Sequence, residues 1–345
     1  MSATGGTGGR RRRRWVRPLL VYEVVIASMA IIALVVVYPE RVGLGPSHVG
    51  RTPAPGEAGW QRRAPAPIAL SEVAVAAAGG RLWVAGGLDQ TGAATDRVLV
   101  YDPRRDAWAD GPRLPHPVHH AAMASDGHRL WLVGGFAGSS FATPTADVLR
   151  LDVGATSWTP EPSLSSARAA GAAAWDGVRL VYGAGVRDGG VSDDIFVLEP
   201  AGWRLLVELP SPREHLAATS STPGSVDFLG GRLGGLEGNV ATVERVDGAG
   251  TVRAMADLPT KRGGVAAFAW PGLGSCVAGG EGVGGTFGQV ECVGENGTTT
   301  LPGLTVPRHG LGAGVIDGIV YVVLGGREPG LAASDVVESL VLPVR

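Results

Sequence analysis

The sequence is poor in lysine, cysteine and aromatic residues, and each shortage closes off a class of function. Of 30 basic residues only Lys261 is a lysine, which reads as the imprint of a GC-rich bacterial genome rather than as chemistry. Net charge is −2, and six arginines among the first 38 residues stand against Glu23, leaving residues 39–345 at about −7. A domain of that sign lacks the basic stripe that neutralises phosphates, so nucleic acid is excluded as a partner. The only cysteines, Cys276 and Cys292, have no zinc-ligand spacing around them. There is no nucleophile elbow and no phosphate loop, so neither a metal nor a cofactor is expected. The 55 glycines and 24 prolines follow no triplet period, which excludes collagen and favours an all-β fold with many tight turns.

What is present begins with an address. "RRRRR" at residues 10–14, with Arg17, precedes "LLVYEVVIASMAIIALVVVY", an apolar stretch ending at Tyr38. Twenty helical residues at 1.5 Å each span roughly 30 Å of hydrocarbon. Residues 1–17 then read as a cytoplasmic tail, 18–38 as a single transmembrane signal anchor, 39–59 as a Pro/Gly-rich linker, and 60–345 as the extracytoplasmic domain. Glu23 lies about one turn inside the inner boundary, where protonation or reach to the headgroups makes it tolerable. Arg12 to Arg17 also resembles a twin-arginine export motif, which would make the segment a cleaved signal; no small-x-small cleavage site follows the apolar run.

The domain repeats. "RLWVAGG" at 81–87 returns as "RLWLVGG" at 129–135, and glycine pairs recur at Gly86-Gly87, Gly134-Gly135, a degraded Gly183-Ala184-Gly185, Gly230-Gly231, Gly279-Gly280 and Gly325-Gly326. The second glycines are 48, 50, 46, 49 and 46 residues apart, and Trp60, Trp108, Trp158 and Trp203 precede theirs by 27, 27, 27 and 28. A period near 50 built of strand-like segments predicts a propeller with four strands per blade and six blades. Innermost strands made of Ala, Gly and Ser let the blades crowd around one axis, and the glycines turn the second strand where a side chain would strike the adjacent blade. The chain enters at Trp60 as a lone fourth strand and ends in a third strand, so the amino-terminal strand is expected to close the last blade.

These features resemble the kelch repeat: apolar run, Gly-Gly, "LVYD" at 99–102, a later tryptophan, and P-x-R before the next blade. The resemblance covers residues 60–345 and weakens where Val252 and Thr299 stand in place of tryptophan. It implies a six-bladed kelch β-propeller. Six-bladed kelch proteins include the sialic acid mutarotases, and that likeness points to Glu214 or His215 as proton carriers beside Arg213. Galactose oxidase, another kelch enzyme, needs a copper site with a cross-linked cysteine and tyrosine, for which this chain has no histidine cluster near its cysteines.

By strand parity the long second-to-third connections share one face with the entries to the first strands, where Arg168, Arg213, Arg262, Arg308, His119 and His309 lie. The arginines either brace neighbouring blades or ring the channel mouth as an anion-binding site. Cys276 and Cys292 fall on adjacent strands of one blade, as a cross-strand disulfide or as two buried thiols. The expected function is a membrane-anchored binding module for a protein or glycan on the loop-rich face. A sugar-acid mutarotase and a purely structural spacer are the alternatives.

Overall fold

Small residues set the centre of the molecule. The strands Ala74–Ala78, Ala122–Ser125, Ala172–Trp175, Ala217–Thr219, Ala266–Trp270 and Gly312–Ile316 are neighbours in a closed ring. They approach so closely that a Cβ added to Gly312 would lie 2.0 Å from Val75. This computed structural model describes residues 59–188 and 190–341. The arginine tail, the expected anchor at 18–38 and the linker up to residue 58 lie outside the described residues. Among the described residues no helix is long and apolar enough to cross a membrane.

Each innermost strand starts a four-stranded antiparallel sheet, and six such sheets make six blades. Blade 1 continues through Arg81–Ala85, Val98–Asp102 and Ala107–Asp110. Blade 6 runs through Ile319–Val323 and Val337–Val341, and its fourth strand is Gln61–Arg62 from the other end of the domain, with Gln61 opposite Ser339. The expected closure is therefore what the fold uses. Trp60 is buried in the core between blades 5 and 6. Its indole N–H donates to Pro302 O at 2.7 Å, and Trp108, Trp158 and Trp203 donate to Ala64, Pro112 and Pro162 at 3.1, 2.9 and 2.8 Å. Each acceptor follows the fourth strand of the preceding blade, so these tryptophans fasten one blade to the last.

The glycine corners have a specific obstacle. The N–H of Gly87 donates to Val118 O at 2.9 Å, and Gly135, Gly185, Gly231, Gly280 and Gly325 repeat the bond to Arg168, Arg213, Arg262, Arg308 and Leu70. The same carbonyl that accepts would lie 2.3 Å from a Cβ on Gly86, whose φ is 65°. In blade 6 the left-handed pair is Leu324 and Gly325, one residue before the Gly325-Gly326 that the repeat suggested; in blade 3 it is Ala184 and Gly185.

Candidate functional site

The six chain segments entering the innermost strands meet at one end of the channel. Glu72, His120, Ala170, His215, Gly264 and Gly310 occupy equivalent places, and all six are left-handed, with φ between 50° and 66°. Each N–H donates to the carbonyl of its counterpart in the preceding blade, from Glu72 to Gly310 at 2.7 Å round to Gly310 to Gly264 at 2.9 Å. The result is a closed hoop of main-chain hydrogen bonds. Glycine adopts this conformation freely, whereas other residues held in it cost on the order of 1–3 kcal/mol each. Blades 5 and 6 use glycine; blades 1, 2 and 4 hold Glu72, His120 and His215 there instead, lining a cavity of about 130 Å³ at the channel mouth.

Ionisable side chains connect around this mouth in an unbroken circuit. Glu72 Oε2 is 3.2 Å from His120 Nε2, and His120 Nε2 is 3.1 Å from His215 Nε2. His215 Nδ1 meets Glu214 Oε2 at 2.8 Å, and Arg232 donates to Glu214 at 2.9 Å and to Glu281 at 2.6 Å. Glu281 lies 3.5 Å from His309 Nδ1, which is 3.2 Å from Glu72 Oε1. His119 Nδ1 contacts His120 Nδ1 at 2.6 Å, while its own Nε2 is buried without a partner. The rings of His119 and His120 pack against Phe136 and Phe141.

Burial pushes the Glu72 carboxyl up, but His120, His309 and His215 together outweigh it and hold it well below the usual carboxylate range. Burial takes His120 down to about 3, so it is neutral at neutral pH. Desolvation raises Glu214, and the His215 and Arg232 partners bring it to about 2. His309 is lowered by burial yet ends above its ordinary value, because Glu72 and Glu281 face it. Three carboxylates against Arg232 and the raised His309 still leave the circuit attractive to cations.

The four strand-entry arginines are elsewhere. Arg168, Arg213, Arg262 and Arg308 are at most 2% exposed and do not line the cavity. Each reaches the third strand of its own blade: Arg168 to Asp194 at 2.5 Å, Arg213 to Glu244, Arg262 to Glu291 and Arg308 to Glu338 at 3.0 Å each for the last two. Burial draws Arg262 and Arg308 down to about 10, against the pull of Glu291 and Glu338, and both stay charged at neutral pH. The anion-binding ring expected at the mouth is thus replaced by four neutralised braces inside the blades. Of the expected site residues, Glu214, His215, His119 and His309 do come together; Glu72, His120, Arg232 and Glu281 join them unforeseen. Cys276 and Cys292 face each other in blade 5, fully buried, and are joined as a disulfide. A larger hollow of about 810 Å³ beside Trp175, Trp270 and Arg245 gathers no such circuit, and Arg245 there is already held by Asp227 and Glu295.

The family model described as Kelch motif matches residues 69–115 and 117–165, which are blades 1 and 2. Kelch-like protein 35 of Mus musculus is 46% identical over 50 residues, 14% of this chain and 9% of that protein. Kelch-like protein terF of Aspergillus terreus (strain NIH 2624 / FGSC A1156) is 26% identical over 300 residues, 83% of this chain and 56% of that protein. The chain therefore spans at most a little over half the length of these curated relatives. The solved structure titled "Structure of YjhT" superposes with a TM-score of 0.66 at 14% identity, covering 80% of this chain and 96% of that one, a likeness of fold.

Proposed function

We propose that this chain, a kelch-repeat six-bladed propeller, is a protein-binding module displayed outside the cytoplasm by the anchor at 18–38, and that its partner docks on the loop-rich face. One observation carries the reading. Phe141, Leu233, Val283 and Leu331 are each 50–67% exposed, and each sits in the second-to-third connection of a different blade. Only Val178, Leu205 and Val341 are comparable exposed apolar residues among those described, and none belongs to these connections. An apolar set gathered on one face of a propeller, around a polar mouth, has the composition of a protein interface. Glycan faces rely on aromatic platforms, and of these four residues only Phe141 is aromatic, which favours a protein over a glycan.

The test compares proteins cross-linked in cells to wild type, to Phe141→Asp/Leu331→Asp, and to Val178→Asp as a control. Loss of specific adducts in the first variant alone supports the reading. Adducts unchanged in all three would overturn it. A compartment-sensitive reporter fused at Arg345 tests the display, a cytoplasmic signal counting against it.

A second reading, a sugar-acid mutarotase, has the Glu214 and His215 pair beside the mouth cavity in its favour, since a histidine oriented by a carboxylate is suited to proton transfer. The Glu72 carboxylate that lines that cavity, with Glu214 and Glu281 connected to it through the circuit, disfavours an acidic sugar. Mutarotation of sialic acid by wild type and not by Glu214→Gln would promote it over the docking reading.

A further inference from the structure

We propose that Glu72, His120 and His215 form a binding site for a divalent first-row transition ion, of which Zn²⁺ is the model, at the centre of the channel mouth. This stands apart from whatever docks on the surrounding loops. The three residues come from blades 1, 2 and 4, and a ligand atom from each lies within 4.8 Å of the other two. The two shortest separations are 3.1 Å between the imidazole Nε2 atoms and 3.2 Å from His120 Nε2 to Glu72 Oε2. Ligands bound at roughly 2.0–2.1 Å and subtending a tetrahedral angle would be about 3.3 Å apart. Two of the three spacings are those of donors around one ion, and the third pair, Glu72 with His215, lies within 4.8 Å, so the Glu72 carboxylate has to swing inward to complete the set.

Proton accounting leads to the same place. The Glu214 carboxylate accepts only, so His215 Nδ1 donates the proton across their 2.8 Å contact. With its ring proton on Nδ1, the His215 imidazole presents the lone pair of Nε2 to His120 Nε2 and towards Glu72, itself a carboxylate with nothing to donate. If His120 gives its Nδ1 proton to His119 at 2.6 Å, its Nε2 is a third lone pair at the same point. Lone pairs converging in a buried pocket need a proton or a cation between them.

Each ligand also has the outer partner that orients metal-bound residues. Glu214, fixed in turn by Arg232, holds His215; His119 holds His120; His309 lies 3.2 Å from the second oxygen of Glu72. The hoop of main-chain bonds fixes the three backbones relative to one another before any ion arrives. Four non-glycine residues are left-handed at the hoop, where two blades make do with glycine; Glu72, His120 and His215 present polar side chains from that strained backbone, and Ala170 bears the same strain with only a methyl group. Two imidazoles and one carboxylate suit Zn²⁺, Co²⁺ or Fe²⁺ better than Mg²⁺ or Ca²⁺, which prefer oxygen alone. The mouth cavity leaves room for water or a further ligand on the remaining positions.

The experiment strips the full chain with a chelator and titrates it with Zn²⁺ and Co²⁺ by calorimetry, following the melting temperature alongside. Expected is one ion per chain, no comparable binding of Mg²⁺, and a visible Co²⁺ spectrum. His120→Gly and His215→Gly keep the turn that glycine already makes in blades 5 and 6, and each should weaken binding by at least about 100-fold with the melting temperature of the stripped protein retained. Glu214→Gln, acting on orientation, should cost about 10- to 100-fold. Failure of the folded wild type to bind either ion, or binding unaltered in both histidine variants, overturns the proposal. Should a glycine variant not fold, pulsed electron paramagnetic resonance of Cu²⁺ in the wild type decides: coupling to two imidazole nitrogens supports the site, and none refutes it.

Discussion

Blades 1 and 2 and blades 4 to 6 solve the same internal problem with opposite chemistry. The residue entering the first strand must meet the second residue of the third strand. In blades 1 and 2 these are Leu70 with Leu99 and Val118 with Leu149, each pair inside one hydrophobic cluster. In blades 4, 5 and 6 they are Arg213 with Glu244, Arg262 with Glu291 and Arg308 with Glu338, all nearly or wholly buried. Blade 3 is intermediate, since Arg168 lies 4.8 Å over the Phe196 ring while pairing with Asp194. The same sheet geometry thus accepts either an apolar contact or a matched buried ion pair. What it cannot accept is half of a pair, because an unpartnered buried charge keeps the full desolvation penalty.

The largest break should come where the ionic blade 6 depends on its borrowed strand. Deleting residues 59–64 removes Trp60 and the ladder to Ser339 and Glu338, and should cost more than about 5 kcal/mol in denaturant unfolding, the indole alone accounting for about 3–5. An unchanged midpoint would mean that the ring holds without closure. Next comes Glu291→Ala, which strands Arg262 at 0% exposure. About 3–5 kcal/mol of destabilisation is expected by the same measurement. Reducing the disulfide of that blade, which spans a sequence separation of 16, should cost up to about 3 kcal/mol, seen as a lower melting temperature with reductant. Thiol labelling of unreduced, denatured protein should find neither cysteine reactive. The smallest effect is the sharpest test: Arg262→Leu with Glu291→Leu, which gives blade 5 the brace of blade 1, should fall within about 1–2 kcal/mol of wild type in either direction, far above the single Glu291→Ala variant. A double variant as unstable as the single would show that the two chemistries are not interchangeable.

The blade plan was readable because one steric problem recurs six times and selects glycine nearly every time. It misplaced blade 6 by one residue because Gly326 follows Gly325, and spacing alone does not say which glycine faces the carbonyl of Leu70. The candidate site suffered the same slip in reverse. His119 and His309 stand directly after the strand entry and are visible by position, and His215 through the mutarotase likeness, whereas the hoop as a whole lies one residue further on and carries Glu, His, Ala, His, Gly and Gly in turn. A position whose identity changes from blade to blade leaves no periodic mark. The arginine pairing did leave one: Val-Glu opens the third strand at 243–244, 290–291 and 337–338, in blades whose entry residue is arginine, and Val-Leu opens it in the two blades whose entry is apolar. Matching those letters within the repeat would have sent the guanidinium groups inward.

Closure by the first strand also imposes a schedule. Gln61 cannot meet Ser339 until nearly the whole domain has left the ribosome. At roughly 5–20 residues per second that wait lasts on the order of 15–55 s. Throughout it, the strand is a bare edge open to any other extended segment, including the same strand of a second nascent copy. Its sequence is Gln61-Arg62 followed by Arg63, with Gln61 and Arg62 still exposed in the finished ring. Neighbouring positive charges repel a like strand and hold it in water, so the residues that last join the propeller are also those best suited to staying alone until the ring is ready for them.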